Sequence, residues 1–214
     1  MKTAREKWLE ARKSGIGASE AACIVGLSPY KNNVQLWKEK TGRQEAPDIS
    51  DNPRVKYGTE AEMHLRALFS LDFPQYKVSY DPFGMIRNNP EMPFAFATLD
   101  GELTEIGTGK RGVLEIKTTE INRANQWSEW NGRIPQHYYV QVCHQLLSTG
   151  YDFAVLKAQI KHVGKDGLIC LTTRHYLMDR DDLQHDMEWL AEREKSFWSC
   201  VESGKMPNLI LPEI

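Results

Sequence analysis

Residues 113–118 read Val113-Leu114-Glu115-Ile116-Lys117-Thr118, "VLEIKT". The segment is apolar enough for a buried strand, yet it carries an acid and an amine two residues apart. Side chains of a strand alternate between faces. Leu114 and Ile116 therefore share one side, and Val113, Glu115 and Lys117 share the other. A helix can cover the first face while the second presents a carboxylate and an ammonium together. The preceding stretch, Phe94 to Leu103, also alternates, and its apolar part ends on Asp100-Gly101. A glycine-rich turn, Gly107-Thr108-Gly109-Lys110-Arg111-Gly112, leads from it into "VLEIKT". The two strands are expected as hairpin neighbours, with Asp100 brought beside Glu115.

Two carboxylates packed together repel, and each favours its protonated form. A divalent cation removes that repulsion. A set of oxygen ligands without Cys or His suits Mg²⁺ or Mn²⁺ rather than zinc. Beside such an ion an ammonium orients or helps deprotonate a bound water, and it balances charge on a phosphate. The competing reading of Glu115-x-Lys117 is an ordinary solvated pair at a sheet edge. Asp100 at the end of the neighbouring strand tilts the balance towards a site. Glu62 has two uses that stay open. Thr59-Glu60-Ala61-Glu62 matches a capping box with Thr59 as the cap. Equally, Glu62, Leu65 and Phe69 share one helical face, which puts the acid at the head of a buried stripe.

The rest of the chain supplies the scaffold for these groups. Of 214 residues, 41% are apolar, which supports a sizeable core and excludes disorder. Net charge is −2, so any phosphate binding rests on local basic groups and not on a basic surface. Cys23, Cys143, Cys170 and Cys200 form no CxxC, which argues against a zinc knuckle or an iron–sulfur cluster. The charged opening and the lack of a long apolar run favour a reduced, cytoplasmic, soluble protein without membrane contact.

Helices are expected over Met1–Lys13, Glu20–Val25 with Ser19 as cap, Ser28-Pro29 to Lys40, Thr59–Leu71, Asn122–Trp130, Pro135–Ser148 and Asp179–Ser203. Residues 44–53 read as a loop. Tyr76–Arg87 reads as a strand interrupted by Pro82. Tyr151–Ile160 and Leu168–Met178 read as a hairpin closed by Gly164-Lys165-Asp166-Gly167. The expected fold is α/β (or α+β): a mostly antiparallel central sheet between helices, in one domain spanning 1–214.

The segments Arg12-Lys13-Ser14-Gly15-Ile16-Gly17-Ala18-Ser19-Glu20, Gly58-Thr59-Glu60-Ala61-Glu62, Asp100-Gly101, Glu115-Ile116-Lys117 and Tyr138-x-x-Gln141 follow one another in this order. In that order they resemble the YqaJ-type phage recombinases, relatives of lambda exonuclease with a restriction-endonuclease-like mixed sheet and a PD-(D/E)xK site. The resemblance implies a two-metal exonuclease that digests linear double-stranded DNA from its 5′ end and leaves a 3′ tail for a single-strand annealing protein. It implies Asp100, Glu115, the Ile116 carbonyl and Glu62 as ligands of two Mg²⁺ ions, with Mn²⁺ as a substitute. Lys117 matches the catalytic lysine and Gln141 the glutamine beside it. Arg12, Ser19, Arg123, Thr98 and Tyr138 match groups that meet the DNA and its 5′-phosphate. A ring-shaped homotrimer and a phage or prophage origin are also implied.

Leu99 stands where the motif has proline, and Thr98 stands where lambda-type enzymes have serine. Trp8, Trp37 and Tyr30 are candidates for unpairing the DNA end, with core packing as the competing use of each tryptophan. The rival readings are an endonuclease or RecB-type nuclease on the same fold, a non-catalytic DNA-end-binding module, and a purely structural phage protein.

Overall fold

The computed structural model describes residues 2–164 and 166–211. Met1 of the expected first helix, Lys165 of the expected 164–167 turn and the last three residues of the expected 1–214 domain lie outside them. Helix α1 (Ala4–Arg12) leads to the two-residue strand β1 (Ile16–Gly17), then α2 (Ala18–Ile24), α3 (Asn33–Lys40) and α4 (Pro53–Asp72). Strands β2 (Tyr76–Ser79), β3 (Ala95–Phe96), β4 (Gly101–Glu105) and β5 (Arg111–Ile121) follow. Helix α5 (Gln136–Thr149) then connects to β6 (Phe153–Val163), β7 (Ile169–Asp179) and the closing helix α6 (Gln184–Glu202).

The central sheet runs in the order β2-β4-β5-β6-β7. Three of its pairings are antiparallel, as expected, but β5 and β6 run parallel, with Glu115 opposite Leu156 and Lys117 opposite Ala158. A parallel pair needs a crossover connection, and α5 supplies it. Helix α5 thereby lies on the Val113 face, where α2 and α6 pack against it around Leu146, Leu156 and Met187. Helix α4 covers the opposite face, where Leu65 and Phe69 meet Leu114 and Ile116. The alternation of "VLEIKT" thus sorts its residues between two helical layers.

Several boundaries differ from the sequence reading. Asn52 caps α4 through its side chain, which accepts from the Arg54 N–H at 2.9 Å, and Pro53 opens the helix. Thr59 and Glu62 therefore lie inside the helix, and the capping-box use of Glu62 falls away. Helix α3 begins at Asn33 under an Asn32 cap; the Ser28 hydroxyl accepts from Tyr30 N–H instead of opening a helix. Gly17, and not Ser19, holds the cap position of α2. Strand β2 stops at Ser79, because Asp81 accepts the Phe83 N–H in a turn around Pro82; only Ile86 pairs again, with Ala97. The Phe94–Leu103 stretch splits into β3, which pairs in parallel with β1 outside the main sheet, and β4. Residues Ala124–Trp130 form a 3-10 helix.

One ionisable pair is sealed between α5 and α6. His144 Nδ1 lies 2.7 Å from Glu194 Oε1, and Nε2 lies 3.0 Å from the Phe96 carbonyl oxygen. A carbonyl only accepts, so Nε2 carries a proton. Burial alone would push the imidazole pKa down; the Glu194 carboxylate overrides it and raises it above its ordinary value. A raised histidine contributes stability that is fully present below its unfolded pKa and fades as pH climbs through the folded one. Thermal melting between about pH 6 and 9 should therefore show a falling Tm that His144→Gln flattens. Glu194→Ala should cost about 3 kcal/mol at neutral pH by leaving the imidazole unpaired.

Candidate active site

Strand β5 delivers Glu115 beneath α5, where the side chain is 2% exposed. A buried carboxylate needs donors on both oxygens. Gln141 Nε2 donates to Oε1 at 2.6 Å, and the Lys117 ammonium meets the same oxygen at 2.5 Å. Gln145 Nε2 donates to Oε2 at 2.5 Å. The acid and the amine of "VLEIKT" thus point the same way because each neutralises the other inside the protein. Gln141 and Gln145 stand one helical turn apart and clamp the carboxylate from above.

Asp100 sits at the junction before β4, one position beyond the Gly101–Leu114 pairing. Its Oδ2 accepts the Ile116 N–H at 2.8 Å. In an extended strand the N–H and C=O of a residue point to the same side, so the Ile116 carbonyl also faces Asp100. Burial and the Glu115 charge push the Asp100 carboxyl well above the usual carboxylate range. Helix α4 brings Glu62 from the other face. Its Oε1 accepts from Arg66 Nη1 at 2.8 Å, and Arg66 also donates to the Asp100 carbonyl oxygen. Gly58 lets this helix approach β5, since a Cβ there would stand 3.1 Å from Thr118 Oγ1.

The result is a cleft of about 310 Å³ whose walls include Glu62, Asp100, Glu115, Ile116, Lys117 and Gln141. Every residue expected to act in catalysis, and the Ile116 backbone, lines it. Burial would lower the Lys117 ammonium, but Glu115 and Asp100 hold its pKa above the ordinary value. Its Nζ also lies 4.9 Å from the centre of the Tyr138 ring. Burial and the Lys117 charge push the neighbouring His137 down to about 4. Lys117 in the cleft is therefore a cation, and His137 outside its lining is a neutral ring, at neutral pH.

Among the described residues, no three carboxylate, imidazole or thiolate groups stand gathered as a finished metal cage. Lys117 and the two glutamines occupy Glu115, and Arg66 occupies Glu62. The donor chemistry nonetheless fits a hard divalent ion. Every donor is an oxygen, and the three carboxylates outnumber the cations Lys117 and Arg66 when all are ionised. Burial first, and then the Glu115 and Glu62 charges, raise the Asp100 carboxyl, and a cation would relieve the repulsive part.

The groups expected to meet DNA fall into separate places. Arg12 ends α1 with its guanidinium 4.6 Å from the Trp8 ring centre and 5.9 Å from that of Phe96. Trp8 Nε1 donates to Thr98 Oγ1 at 3.3 Å, which joins Thr98 to the same neighbourhood. Ser19 is exposed on the first turn of α2, close behind Gly17, whose Cβ position lies 3.6 Å from Arg12 Nη2. Tyr138 belongs instead with Lys117. Arg123 lies past the end of β5, and among the described residues no hydrogen bond or ion pair joins its guanidinium to Arg12, Ser19 or Thr98. Trp37 is buried with its indole N–H on the Cys200 carbonyl at 3.0 Å, so it is core and not a wedge. Tyr30 is exposed, and Trp8 is half-buried.

Sequence reasoning missed Gln145 and Arg66. The four-residue step from Gln141 to Gln145, and from Glu62 to Arg66, was the available signal for each.

Comparison with known proteins bears on the family and the fold. The chain is 32% identical over 211 residues to the uncharacterized protein YqaJ of Bacillus subtilis (strain 168), covering 96% of this chain and 59% of that protein. It therefore spans about three fifths of the relative's length. The alkaline exonuclease LHK-Exo from Laribacter hongkongensis is similar in structure, with a TM-score of 0.64 at 21% identity and 94% of each chain covered. LHK-Exo in complex with dAMP gives a TM-score of 0.61 at 21% identity, covering 94% of this chain and 96% of that one. At such identity the likeness shows a shared fold: a five-stranded mixed sheet flanked by helices. Residues 7–152 match the YqaJ-like viral recombinase domain, and the chain belongs to that family.

Proposed function

We propose that the chain is a metal-dependent exonuclease that shortens linear double-stranded DNA from its 5′ end and leaves 3′ single-stranded tails for recombination. The observation that carries this reading is the convergence of Glu62, Asp100 and Glu115 with the Lys117 ammonium in one cleft. The fold is shared with an alkaline exonuclease, and the complex of that neighbour with dAMP holds the kind of mononucleotide such digestion releases. The phage-type resemblance adds the ring of three copies and the annealing partner.

In this reading Asp100, Glu115, Glu62 and the Ile116 carbonyl hold Mg²⁺, as a pair of ions, with Mn²⁺ as a substitute. The bound metal supplies a water of lowered pKa and a counter-charge for the phosphate. Lys117 steers the attacking water and offsets charge on the phosphate oxygens. Gln141 and Gln145 keep Glu115 aimed into the cleft. Arg12 grips the 5′-phosphate with parallel donors, assisted by Ser19 and Thr98, so that each cut presents a fresh end to the same seat. Arg123, on its exposed turn, contacts the DNA backbone. Tyr138 stacks under Lys117 and limits its freedom.

The direct assay is 5′-phosphorylated linear duplex with Mg²⁺, with and without a chelator, scored for 3′-tailed product. Digestion should require the metal and should spare closed circular duplex; cutting of circles would make the protein an endonuclease. Ca²⁺ should support DNA binding without cleavage, because it accepts the same oxygens in looser geometry. Lys117→Ala should lower turnover by about 10³-fold while DNA binding persists. Retained turnover would remove the lysine from the chemistry. Arg12→Ala should reduce the preference for 5′-phosphoryl over 5′-hydroxyl ends by about tenfold or more; an equal loss on both ends would argue against a phosphate seat.

A further inference from the structure

One buried ion pair lies outside the cleft and takes no part in its chemistry. Lys40 is the last residue of α3, and its side chain is 6% exposed. Its Nζ lies 2.7 Å from Glu20 Oε2 and donates to the Arg12 carbonyl oxygen at 3.1 Å. The same Glu20 oxygen accepts the Gly17 N–H at 2.9 Å. One ammonium therefore ties together the end of α1, the start of α2 and the end of α3. A buried ammonium has three N–H donors to satisfy, and here the Arg12 carbonyl takes one of them. Burial lowers the Lys40 pKa, so its position carries a desolvation penalty that Glu20 offsets only in part.

The surroundings show what this tie controls. The backbone between Arg12 and Gly17 has little room to adjust: a Cβ at Gly15 would stand 2.1 Å from the Phe94 carbonyl oxygen. On the other side of the turn Arg87 donates to the Ser14 hydroxyl at 3.2 Å and to the Pro93 carbonyl at 2.9 Å. The Trp8 and Phe96 rings flank the Arg12 guanidinium. The rings limit where the side chain swings, and Lys40 fixes the backbone from which it springs.

We propose that Lys40 is a positioning residue for the 5′-phosphate seat: bonded at once to the Arg12 carbonyl and the Glu20 carboxylate, it sets the direction from which Arg12 meets a DNA end. This rests on the reading of Arg12 as the phosphate ligand. Lys40 itself need not touch DNA. Glu20 is its anchor, which gives a use to the last residue of the Arg12–Glu20 motif.

The test compares KM and kcat on duplexes with 5′-phosphoryl and 5′-hydroxyl ends, alongside melting temperature, for the wild type, Lys40→Met and Lys40→Arg. Lys40→Met should raise KM about tenfold on phosphorylated ends, leave kcat unchanged and leave the hydroxyl-ended substrate unaffected. Lys40→Arg keeps the charge and the reach to both acceptors, so it should restore most of the preference; it also guards against a Met variant that does not fold. Loss of activity in equal measure on both ends, following the loss of Tm, would reduce Lys40 to a structural role. A wild-type preference that survives in both variants overturns the proposal alone. A wild type indifferent to the 5′-phosphate overturns the Arg12 reading and this one together.

Discussion

The structure depends on giving one buried carboxylate its hydrogen-bond partners inside the protein. Glu115 is nearly sealed from solvent, where an unpaired anion would cost several kcal/mol. Three donors satisfy it: Lys117 from its own strand, Gln141 and Gln145 from the helix above. That demand shapes the topology. The amides must come from a helix crossing the Val113 face of β5, and the β5–α5–β6 crossover puts α5 there. The parallel step in an otherwise antiparallel sheet is therefore part of the site.

The opposite layer adds the tension that makes the cleft chemically useful. Helix α4 presents Glu62 with its own Arg66, and Arg66 reaches across to the Asp100 backbone. Burial pushes the Asp100 carboxyl upward, the nearby Glu115 and Glu62 charges add to it, and the Ile116 N–H donates to it. The acids are tied to different elements, so they cannot drift apart to relax. A hard cation would offset the repulsion among these acids, which is what makes the cleft a candidate metal site.

Much of this was legible in the sequence because the period of a strand is short and strict. Two-residue alternation sorted Glu115 and Lys117 onto one face and Leu114 and Ile116 onto the other, and the structure agrees. The glycine-rich turn likewise brought Asp100 next to Glu115. Helix starts were less legible, since Asn52-Pro53 and Asn32 compete with equally good signals at Thr59 and Ser28-Pro29. Local capping chemistry alone does not choose between them. The parallel step was invisible because strand direction is set by the crossover and not by side-chain pattern. Gln145 and Lys40 were hidden for a related reason: their partners lie 30 and 28 residues away.

Helix α1 buries none of its side chains. It is attached through Trp8, through Arg12 and through backbone contacts at its end, while the carboxylate cleft is built on the deeply packed strand β5. Local opening free energy follows buried contact, so the Arg12 region and the carboxylate cleft differ in local stability. Amide protons of α1 would exchange long before those of β5. On warming, the surroundings of Arg12 would loosen while the carboxylate cleft was still intact. Were Arg12 to grip a DNA end as proposed, recognition of that end and cleavage of the bond would be thermally separable in one small fold.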